Sequence, residues 1–541
     1  MIFRTHILNV RQAFKRIDWK LLAFLILFLD VKLVVKLVAI LFIYCFQFNS
    51  GFGFRLRRSR LPLFYPVIIC IAIFNYFIFH GYNNVNYTVV FGTGIGFWLL
   101  AILALHQVKL SVENNETSVI HNTVFVFFLI NTIASLATLL VIIAKTGAIN
   151  PYLYQGEYQK YFIGTGDYIK GISFDTSTTN AVLNAFGVIY FLHYKNSLMV
   201  LTCMAVFLLT GSNISNMLLC GALAFVFIFQ SDRHQKSLLF ICLFLSVVFM
   251  TKISPQNNQY LVNSIKYMLN DPSRPIDAVK QVSLADRADS TLTADEKKQK
   301  IAILYLDSVS AVNRKKLTFI NTQTVTATRS FVIPTDDING PLFQHKSFLT
   351  PAEEEMLTFI RDHSATLRMA QDLALHKTSP GKIQAALQTW TYLRSHPAKA
   401  ITGAGVGNFS SKLSFKSTGL NIAGSWPQRF RYVNKDFLAN HLDLYLYYFT
   451  KPDGLHSAVN NPACIYDQLI SEYGIAGLLC YFIFYMGFFL RSVSLLSFGI
   501  PLILVLSGIF FFDYWFEQLS VVTFFELLLF LNLKEAKQGY E

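Results

Sequence analysis

The sequence predicts an all-α, polytopic membrane protein, and its composition is the first reason. The chain has 541 residues, of which 53% are apolar, 15% aromatic and only 14% charged. A soluble globular chain carries about 25% charged residues. The mean hydropathy is +0.42. This composition excludes a disordered chain, a nucleic-acid-binding arm and an ordinary cytosolic enzyme.

The first apolar stretch, 21–48, is too long for one upright helix and is interrupted by Asp30, Lys32 and Lys36. Basic residues flank it on both sides, which places both of its ends in the cytoplasm. We therefore interpret it as a hairpin of two short helices with the charged residues near its outer tip. A single tilted helix is the alternative.

The remaining apolar stretches approach the length of a membrane crossing, which takes about 20 mostly apolar residues. They are roughly 62–80, 86–106, 121–144, 177–194, 197–210, 214–230, 236–253, 473–491, 494–512 and 515–533. Together with the hairpin they predict about 12 transmembrane helices.

The net charge of +14 fits this topology, because Lys and Arg collect on the cytoplasmic side of membrane proteins. The predicted regions are a membrane region at 1–253 with about nine helices, an outer segment at 254–460 and a membrane region at 461–541 with about three. The outer segment, between the ninth and tenth helices, is expected to be mainly helical. Helices are predicted to begin near Thr293 and Thr350 and to cover Lys382–Arg394.

No cofactor signal is present in the sequence. The seven cysteines show no CxxC pair and no metal-type spacing. The GxxxxGK[ST] phosphate-binding motif is also absent. We expect no metal, no cofactor, no ATP use and no nucleic-acid partner.

A glycine-rich turn, Gly403–Phe409 (GAGVGNF), is the first candidate for substrate binding. Such a turn lets backbone N–H groups approach a phosphate or a sugar closely. Its candidate ligands are Gly405, Gly407 and Asn408. Cationic candidates follow it, namely Lys412, Lys416, Arg429 and Arg431. The planar fork of Arg suits a diphosphate, and a solvated basic face is the alternative.

A histidine beside the predicted membrane helix at 473–491 is the candidate base. His456 precedes this helix, with Asn460, Asn461 and Glu472 nearby. Histidine accepts a proton near neutral pH and is therefore suited to general-base catalysis. A purely structural hydrogen bond is the alternative.

The order of these pieces resembles the O-antigen ligase and polymerase (Wzy-type) family. Four local matches carry the resemblance: Leu209–Asn213 (LTGSN) at the outer end of a span, Lys382–Trp390 followed by Pro397 and the glycine turn, the outer segment itself, and Gln468–Gly477 (QLISEYGIAG).

The resemblance implies a GT-C-like glycosyltransferase in the inner membrane of a bacterium, with its active site on the periplasmic side. It implies transfer of a glycan from undecaprenyl diphosphate to a lipid or glycan acceptor, without metal or nucleotide. Lys382, Arg429 and Arg431 would neutralise the diphosphate, and His456 would act as the base. Asn213, at the end of the first match, joins the predicted substrate-binding set.

The chain departs from the family pattern at three places. Family ligases often have Ser-Arg at Ser212–Asn213, Gly-Arg at Gly381–Lys382 and His-Asn at Ala463–Cys464. His456 can take the base role only if the local chain shifts. Two alternatives share parts of this layout: a protein O-oligosaccharyltransferase, and a transporter or flippase for lipid-linked sugar.

Overall fold

The computed structural model describes residues 16–154, 166–254, 351–363, 367, 380–449 and 458–538. Within these ranges the regular structure is helical, with no β-strand. Two predicted features lie outside the described residues, namely the helix beginning near Thr293 and the candidate base His456.

Helices occupy the apolar stretches of the N-terminal region. They are α1 (Trp19–Phe28), α2 (Leu33–Phe46), α3 (Phe64–Ile78), α4 (Val85–Asn114), α5 (Thr117–Thr146), α6 (Ser177–His193), α7 (Ser197–Leu209), α8 (Asn213–Phe229) and α9 (Arg233–Val248), which continues as a π-helical turn at Phe249–Ile253.

The later part of the chain has shorter and more interrupted helices. They are α10 (Pro351–Asp362), α11 (Gly381–Ser395), α12 (Pro397–Thr402), α13 (Lys412–Ser417), α14 (Lys435–Phe437, a π-helical turn at Leu438–Leu442, then Asp443–Phe449), α15 (Ile465–Glu472), α16 (Gly474–Cys480, a π-helical turn at Tyr481–Met486, then Gly487–Leu490), α17 (Gly499–Ile509), α18 (Trp515–Gln518) and α19 (Ser520–Gln538). The helices predicted near Thr350 and at Lys382–Arg394 correspond to α10 and α11.

The first two helices form the predicted hairpin rather than one tilted helix. Trp19, at the start of α1, packs edge-on against Phe42 and Phe46 at the end of α2. At the other end, Nζ of Lys36 donates a 2.6 Å hydrogen bond to the carbonyl of Phe28. The two helices therefore run antiparallel, with Asp30 in the turn between them.

Three helices are long and apolar enough to cross a membrane on their own. They are Val85–Asn114 and Thr117–Thr146, each of 30 residues, and Arg233–Ile253, of 21 residues. A helix of 30 residues is about 45 Å long, which exceeds the hydrocarbon thickness of a bilayer. Shorter apolar helices surround them. The described chain is thus all-helical with three candidate membrane-spanning helices, and the total of 12 crossings remains a prediction.

The span predicted at 515–533 is wrong as a single helix. The chain breaks at Leu519, which is buried and has a φ of +69°, so α18 and α19 are separate helices. A positive φ is unusual for a residue with a branched side chain and interrupts helical geometry. Apolar periodicity does not report such a break, because the flanking residues on both sides are apolar.

Helix α19 forms the centre of the molecule, and its residues from Ser520 to Asn532 are buried. It includes Glu526, whose Oε1 accepts a 2.6 Å hydrogen bond from the hydroxyl of Tyr65 in α3. A carboxyl group buried among helices needs such a partner. This contact connects α19 to α3.

The C-terminal end of α19 forms polar contacts with the C-terminal end of α4 and with the N-terminal end of α5. Nζ of Lys534 donates to the carbonyl of Val112 at 2.7 Å. Nε2 of His121 lies 2.5 Å from Oε1 of Glu535. These contacts lie at the end of the bundle away from the hairpin tip, where Arg60 also pairs with Glu113 at 2.5 Å.

Candidate functional site

The glycine-rich turn folds around a buried carboxylate of the chain itself. The side chain of Glu472, at the end of α15, is 1% exposed. It accepts hydrogen bonds from the backbone N–H groups of Gly407 (2.9 Å), Phe409 (3.2 Å) and Ser410 (3.2 Å) and from the hydroxyl of Ser414 (3.0 Å). Burial raises the pKa of the Glu472 carboxyl, and these hydrogen bonds oppose that rise. The donors of the turn therefore face Glu472.

The glycines are required by the backbone and by close packing. Gly405 and Gly407 have φ values of +94° and +74°, in the left-handed region that favours glycine. A Cβ on Gly407 would lie 2.4 Å from Cγ1 of Val90 in α4. The N–H of Gly405 donates to the backbone carbonyl of Glu472 at 3.0 Å. The turn therefore packs tightly between α4 and α15.

Asn408 is also engaged within the protein. Its Oδ1 accepts from the hydroxyl of Tyr432 at 2.8 Å and from Nδ2 of Asn434 at 3.1 Å, while its Nδ2 donates to the carbonyl of Ala404 at 2.9 Å. The N–H groups of Gly405 and Gly407 and the side-chain amide of Asn408, which were expected to hold substrate, therefore form hydrogen bonds within the protein. They are not available to bind a phosphate in this conformation.

A histidine that the sequence analysis did not select lies beside this turn. His441, in the π-helical turn of α14, is fully buried. Its Nε2 lies 2.5 Å from Oδ2 of Asp467 in α15, and its ring contacts that of Phe409 at 4.9 Å between centroids. Its Nδ1 has no hydrogen-bond partner in the described part of the chain. If Nε2 carries the proton and donates to Asp467, Nδ1 is left as an acceptor.

The hydroxyl of Ser410 connects the glycine turn to this pair, because it donates to Oδ2 of Asp467 at 3.3 Å. The sequence gives little indication that His441 is functional. This histidine lies in an apolar and aromatic stretch, and its partner Asp467 is 26 residues further along the chain. Only the fold brings the two together.

Lys382 is half-buried at the beginning of α11. Its Nζ donates to the carbonyl of Asn461 at 2.8 Å and also to that of Ala463. Burial lowers its pKa to about 8, although the nearby carboxylates Asp513 and Asp467 act to raise it. Two of the three N–H groups of this amine are thus used to hold α11 against the segment before α15, and one is left.

Lys412 and Lys416 lie one helical turn apart on α13, and both are half-buried. Neither forms an ion pair or a side-chain hydrogen bond with another described residue. Partial burial and the charge of Lys412 lower the pKa of Lys416. Glu517, in α18, interacts with both amines at longer range, and its carboxylate also accepts from the N–H of Leu413 at 2.7 Å. The two amines are therefore cations without an ion-pair partner among the described residues, and Glu517 is a more distant counter-charge.

The two arginines, which follow α13 in the chain, differ in their contacts. Arg429 is exposed and lies over the ring of Phe430, 4.6 Å from its centroid. Arg431 pairs with Glu355 of α10 at 2.6 Å and donates to the carbonyl of Gly419 at 3.2 Å. The guanidinium of Arg431 therefore holds α10 against the segment after α13.

Asn213 lies away from the other predicted residues. It begins α8 and borders an apolar cavity of about 720 Å³ between α7, α8 and α9. The structure thus places Lys412 and Lys416 together on α13, Arg431 on a segment that contacts the end of α13, Lys382 near Asp467, and Asn213 at the start of α8. Among the residues described, no group of three or more His, Cys, Asp or Glu is placed to hold a metal ion.

Comparison of the chain with protein-family models, with curated proteins and with solved structures found no match. The family resemblance of the sequence therefore stays a prediction, and the chemistry must be argued from the residues.

Proposed function

We propose that this protein is a membrane glycosyltransferase of the O-antigen ligase or polymerase type. It would transfer a glycan from undecaprenyl diphosphate to an acceptor hydroxyl. The observation that carries the proposal is the buried His441–Asp467 pair, with Nδ1 of the histidine unpartnered among the described residues.

The first argument concerns the base. A carboxylate that accepts the proton on one ring nitrogen fixes the tautomer and orients the other nitrogen to take a proton from a hydroxyl. Asp467 is placed to do this for His441. We therefore move the base role predicted for His456 to His441. Because the ring is buried, the acceptor reaches Nδ1 only after neighbouring groups move, which makes acceptor binding an induced-fit step.

The second argument concerns the leaving group. A diphosphate needs cationic partners that are not already neutralised, and Lys412 and Lys416 meet this condition. The hydroxyl of Ser410 contacts Asp467, and Lys412 is two residues further along the chain. Two residues span at most about 7 Å, so the backbone of Lys412 lies close to the serine that contacts the base pair.

In the proposed step the acceptor oxygen attacks the anomeric carbon while Nδ1 of His441 takes its proton. The bond between that carbon and the diphosphate oxygen breaks, and undecaprenyl diphosphate leaves with both electrons. A single displacement of this kind inverts the configuration of the sugar. The charge that develops on the leaving diphosphate is offset by the lysines, and the loss of one such donor typically costs about 3–4 kcal/mol.

The proposal includes the topology. Twelve crossings would place the hairpin tip, α10 to α14 and the rest of 254–460 on the periplasmic side of the inner membrane. The C-terminal ends of α4 and α19 and the N-terminal end of α5 would then face the cytoplasm. The three long apolar helices support membrane insertion and leave the number of crossings to experiment.

The test is a glycan profile of a null strain complemented with wild type, His441→Gln or Asp467→Asn, together with the transfer rate of each purified protein. We expect His441→Gln to lower the rate by about 10²–10⁴-fold, the usual contribution of a general base. His396→Gln is the matched control, because His396 is exposed in the same part of the chain. Equal protein levels are checked by an epitope tag.

Full-length surface polysaccharide with His441→Gln would remove His441 from the mechanism. A null strain that keeps its polysaccharide but loses glycan from proteins would indicate a protein O-oligosaccharyltransferase. Donor that accumulates on the cytoplasmic face of the null strain would indicate a flippase.

A further inference from the structure

The apolar cavity between α7, α8 and α9 has no role in the proposed mechanism. Its volume is about 720 Å³, within the range of about 300–1,000 Å³ that is usual for ligand pockets. Its lining is mainly apolar and includes Leu223 and Leu239. Ile228 and Phe240, which also line it, are 68% and 61% exposed, so the cavity is open at the surface. Because α9 belongs to a candidate membrane-spanning helix, this opening is suited to face the hydrocarbon of a bilayer.

A depression with two cations continues the cavity toward the beginning of α9. Phe240 lines both the depression and the cavity. Nζ of Lys236, in the depression, lies 5.2 Å from the ring centroid of Phe227, which lines the cavity. The cations and the apolar cavity are therefore parts of one continuous surface. The depression is lined by residues that share one face of α9: Arg233, Lys236, Ser237, Phe240, Ile241 and Phe244.

Arg233 and Lys236 form no ion pair with a described residue. The carboxylate next to them in the chain, Asp232, is held by other groups. Its Oδ2 lies 2.5 Å from Nζ of Lys195, and its Oδ1 accepts from the backbone N–H of Gln235 at 2.9 Å. The depression therefore presents a guanidinium, an ammonium and the hydroxyl of a serine on one helix face. Cations and hydroxyl donors of this kind bind phosphate groups.

We infer that α8 and α9 form a binding site for an anionic phospholipid, with its phosphate at Arg233, Lys236 and Ser237 and an acyl chain in the cavity. Basic pockets between membrane helices bind such headgroups. Along α9 the cavity begins about 6 Å from Lys236, at Phe240, and reaches Met250 at about 21 Å. One leaflet of the hydrocarbon core is about 15 Å thick. A chain whose phosphate lies at Lys236 therefore enters the cavity within its own leaflet.

The site does not depend on the proposed reaction, although the isoprenoid chain of the donor is a competing occupant of the cavity. The diphosphate of the donor would then lie at the opposite end, on the proposed periplasmic side. Helices α8 and α9 run antiparallel, since the rings of Phe227 and Phe240 lie 5.7 Å apart. The opposite end is therefore lined by the neutral side chains of Asn216 and Thr251. The cations that line this surface lie at the beginning of α9, which favours a phospholipid of the cytoplasmic leaflet.

The experiment uses the full chain in detergent, with dioleoyl phosphatidylglycerol, dioleoyl phosphatidylcholine and geranylgeranyl diphosphate as probes. Native mass spectrometry gives a Kd for each probe. One variant combines Arg233→Gln with Lys236→Gln, and a second, Leu223→Trp, fills the cavity. Lys252→Gln is the matched control, because Lys252 is an exposed cation just beyond the other end of α9 and does not line the cavity.

We expect wild type to bind phosphatidylglycerol at least tenfold more tightly than phosphatidylcholine. The double variant should lose this preference and keep its Kd for phosphatidylcholine, because only the contacts to the anionic headgroup are removed. Leu223→Trp should raise the Kd of both phospholipids at least fivefold, because the acyl chain is displaced. Lys252→Gln should behave as wild type.

Equal affinity of wild type for the two phospholipids would overturn the inference, and so would an equal loss of preference in Lys252→Gln. Tighter binding of geranylgeranyl diphosphate, weakened by Leu223→Trp alone, would assign the cavity to the donor instead. If Leu223→Trp does not fold, phosphatidylglycerol with a photoreactive acyl chain decides on wild type. Cross-links between Phe240 and Met250 would support the inference, and cross-links confined to helices other than α7, α8 and α9 would contradict it.

Discussion

At the scale of single residues, the candidate site depends on which charged groups already have partners in the chain. Glu472 accepts four hydrogen bonds and Arg431 pairs with Glu355, whereas Lys412 and Lys416 form no ion pair with a described residue. The sequence shows each of these residues as a charge beside a glycine turn. It does not show which of them has a partner, because the partners of Glu472 lie between 58 and 65 residues away.

Lys382 gives a prediction about pH. Its pKa is about 8 in the folded protein and 10.5 in the unfolded chain. Between these values the unfolded chain holds more protons on this amine, so stability rises with pH across that window. The rise is at most about 1.4 kcal/mol per pH unit. Below pH 8 the contribution is constant, because both states are protonated.

The measurement is the free energy of unfolding in detergent, compared between wild type and Lys382→Met at several values from pH 7.5 to about 10.5. We expect wild type to gain stability relative to the variant above pH 8. Parallel curves over the whole range would show that the amine of Lys382 is not desolvated in the folded protein.

At the scale of elements, the sequence indicates helices well and their interruptions poorly. Runs of apolar residues locate α3 and α5 to α9 to within a few residues, whereas α4 continues to Asn114, eight residues beyond the predicted end at 106. The break at Leu519 and the π-helical turn that carries His441 leave no such trace. Both depend on contacts made after the helices pack.

The packing of the glycine turn against α4 gives a second prediction. A Cβ on Gly94 would lie 2.3 Å from Cγ1 of Val406, whereas a Cβ on Gly96 meets nothing within 4 Å. We expect Gly94→Ala to destabilise the protein by about 1–3 kcal/mol, because the turn must move. Gly96→Ala, in the same helix, is expected to stabilise it by about 0.5–1 kcal/mol.

Both variants are measured by chemical unfolding and by the rate of glycan transfer. A loss of transfer in Gly94→Ala that exceeds its loss of stability would show that the position of the turn matters for the reaction. Equal behaviour of the two variants would contradict the packing described here.

At the scale of the whole molecule, the proposed topology gives a third prediction. Cysteine is placed singly at Lys32, Arg429 or Arg233, all of which are exposed, in a chain whose native cysteines are replaced by serine. A membrane-impermeant maleimide applied from the periplasmic side should label the first two. It should label the cysteine at Arg233 only after the inner membrane is opened.

Labelling of the cysteines at positions 32 and 429 from opposite sides of the membrane would contradict the proposed topology. The composition predicts a membrane protein, but it does not show which distant segments meet. Tyr65 and Glu526, which share a hydrogen bond, are 461 residues apart in the chain, so their contact is a property of the complete fold.

The hydrogen bond between Tyr65 and Glu526 bears on how the protein is made. Helix α3 leaves the ribosome long before α19, so the centre of the bundle stays incomplete until α19 has been made. During that interval the earlier helices are held by their neighbours alone, and a chain truncated before α19 would lack its central member. We therefore expect a chain that terminates before α19 to be degraded rather than to be partly active.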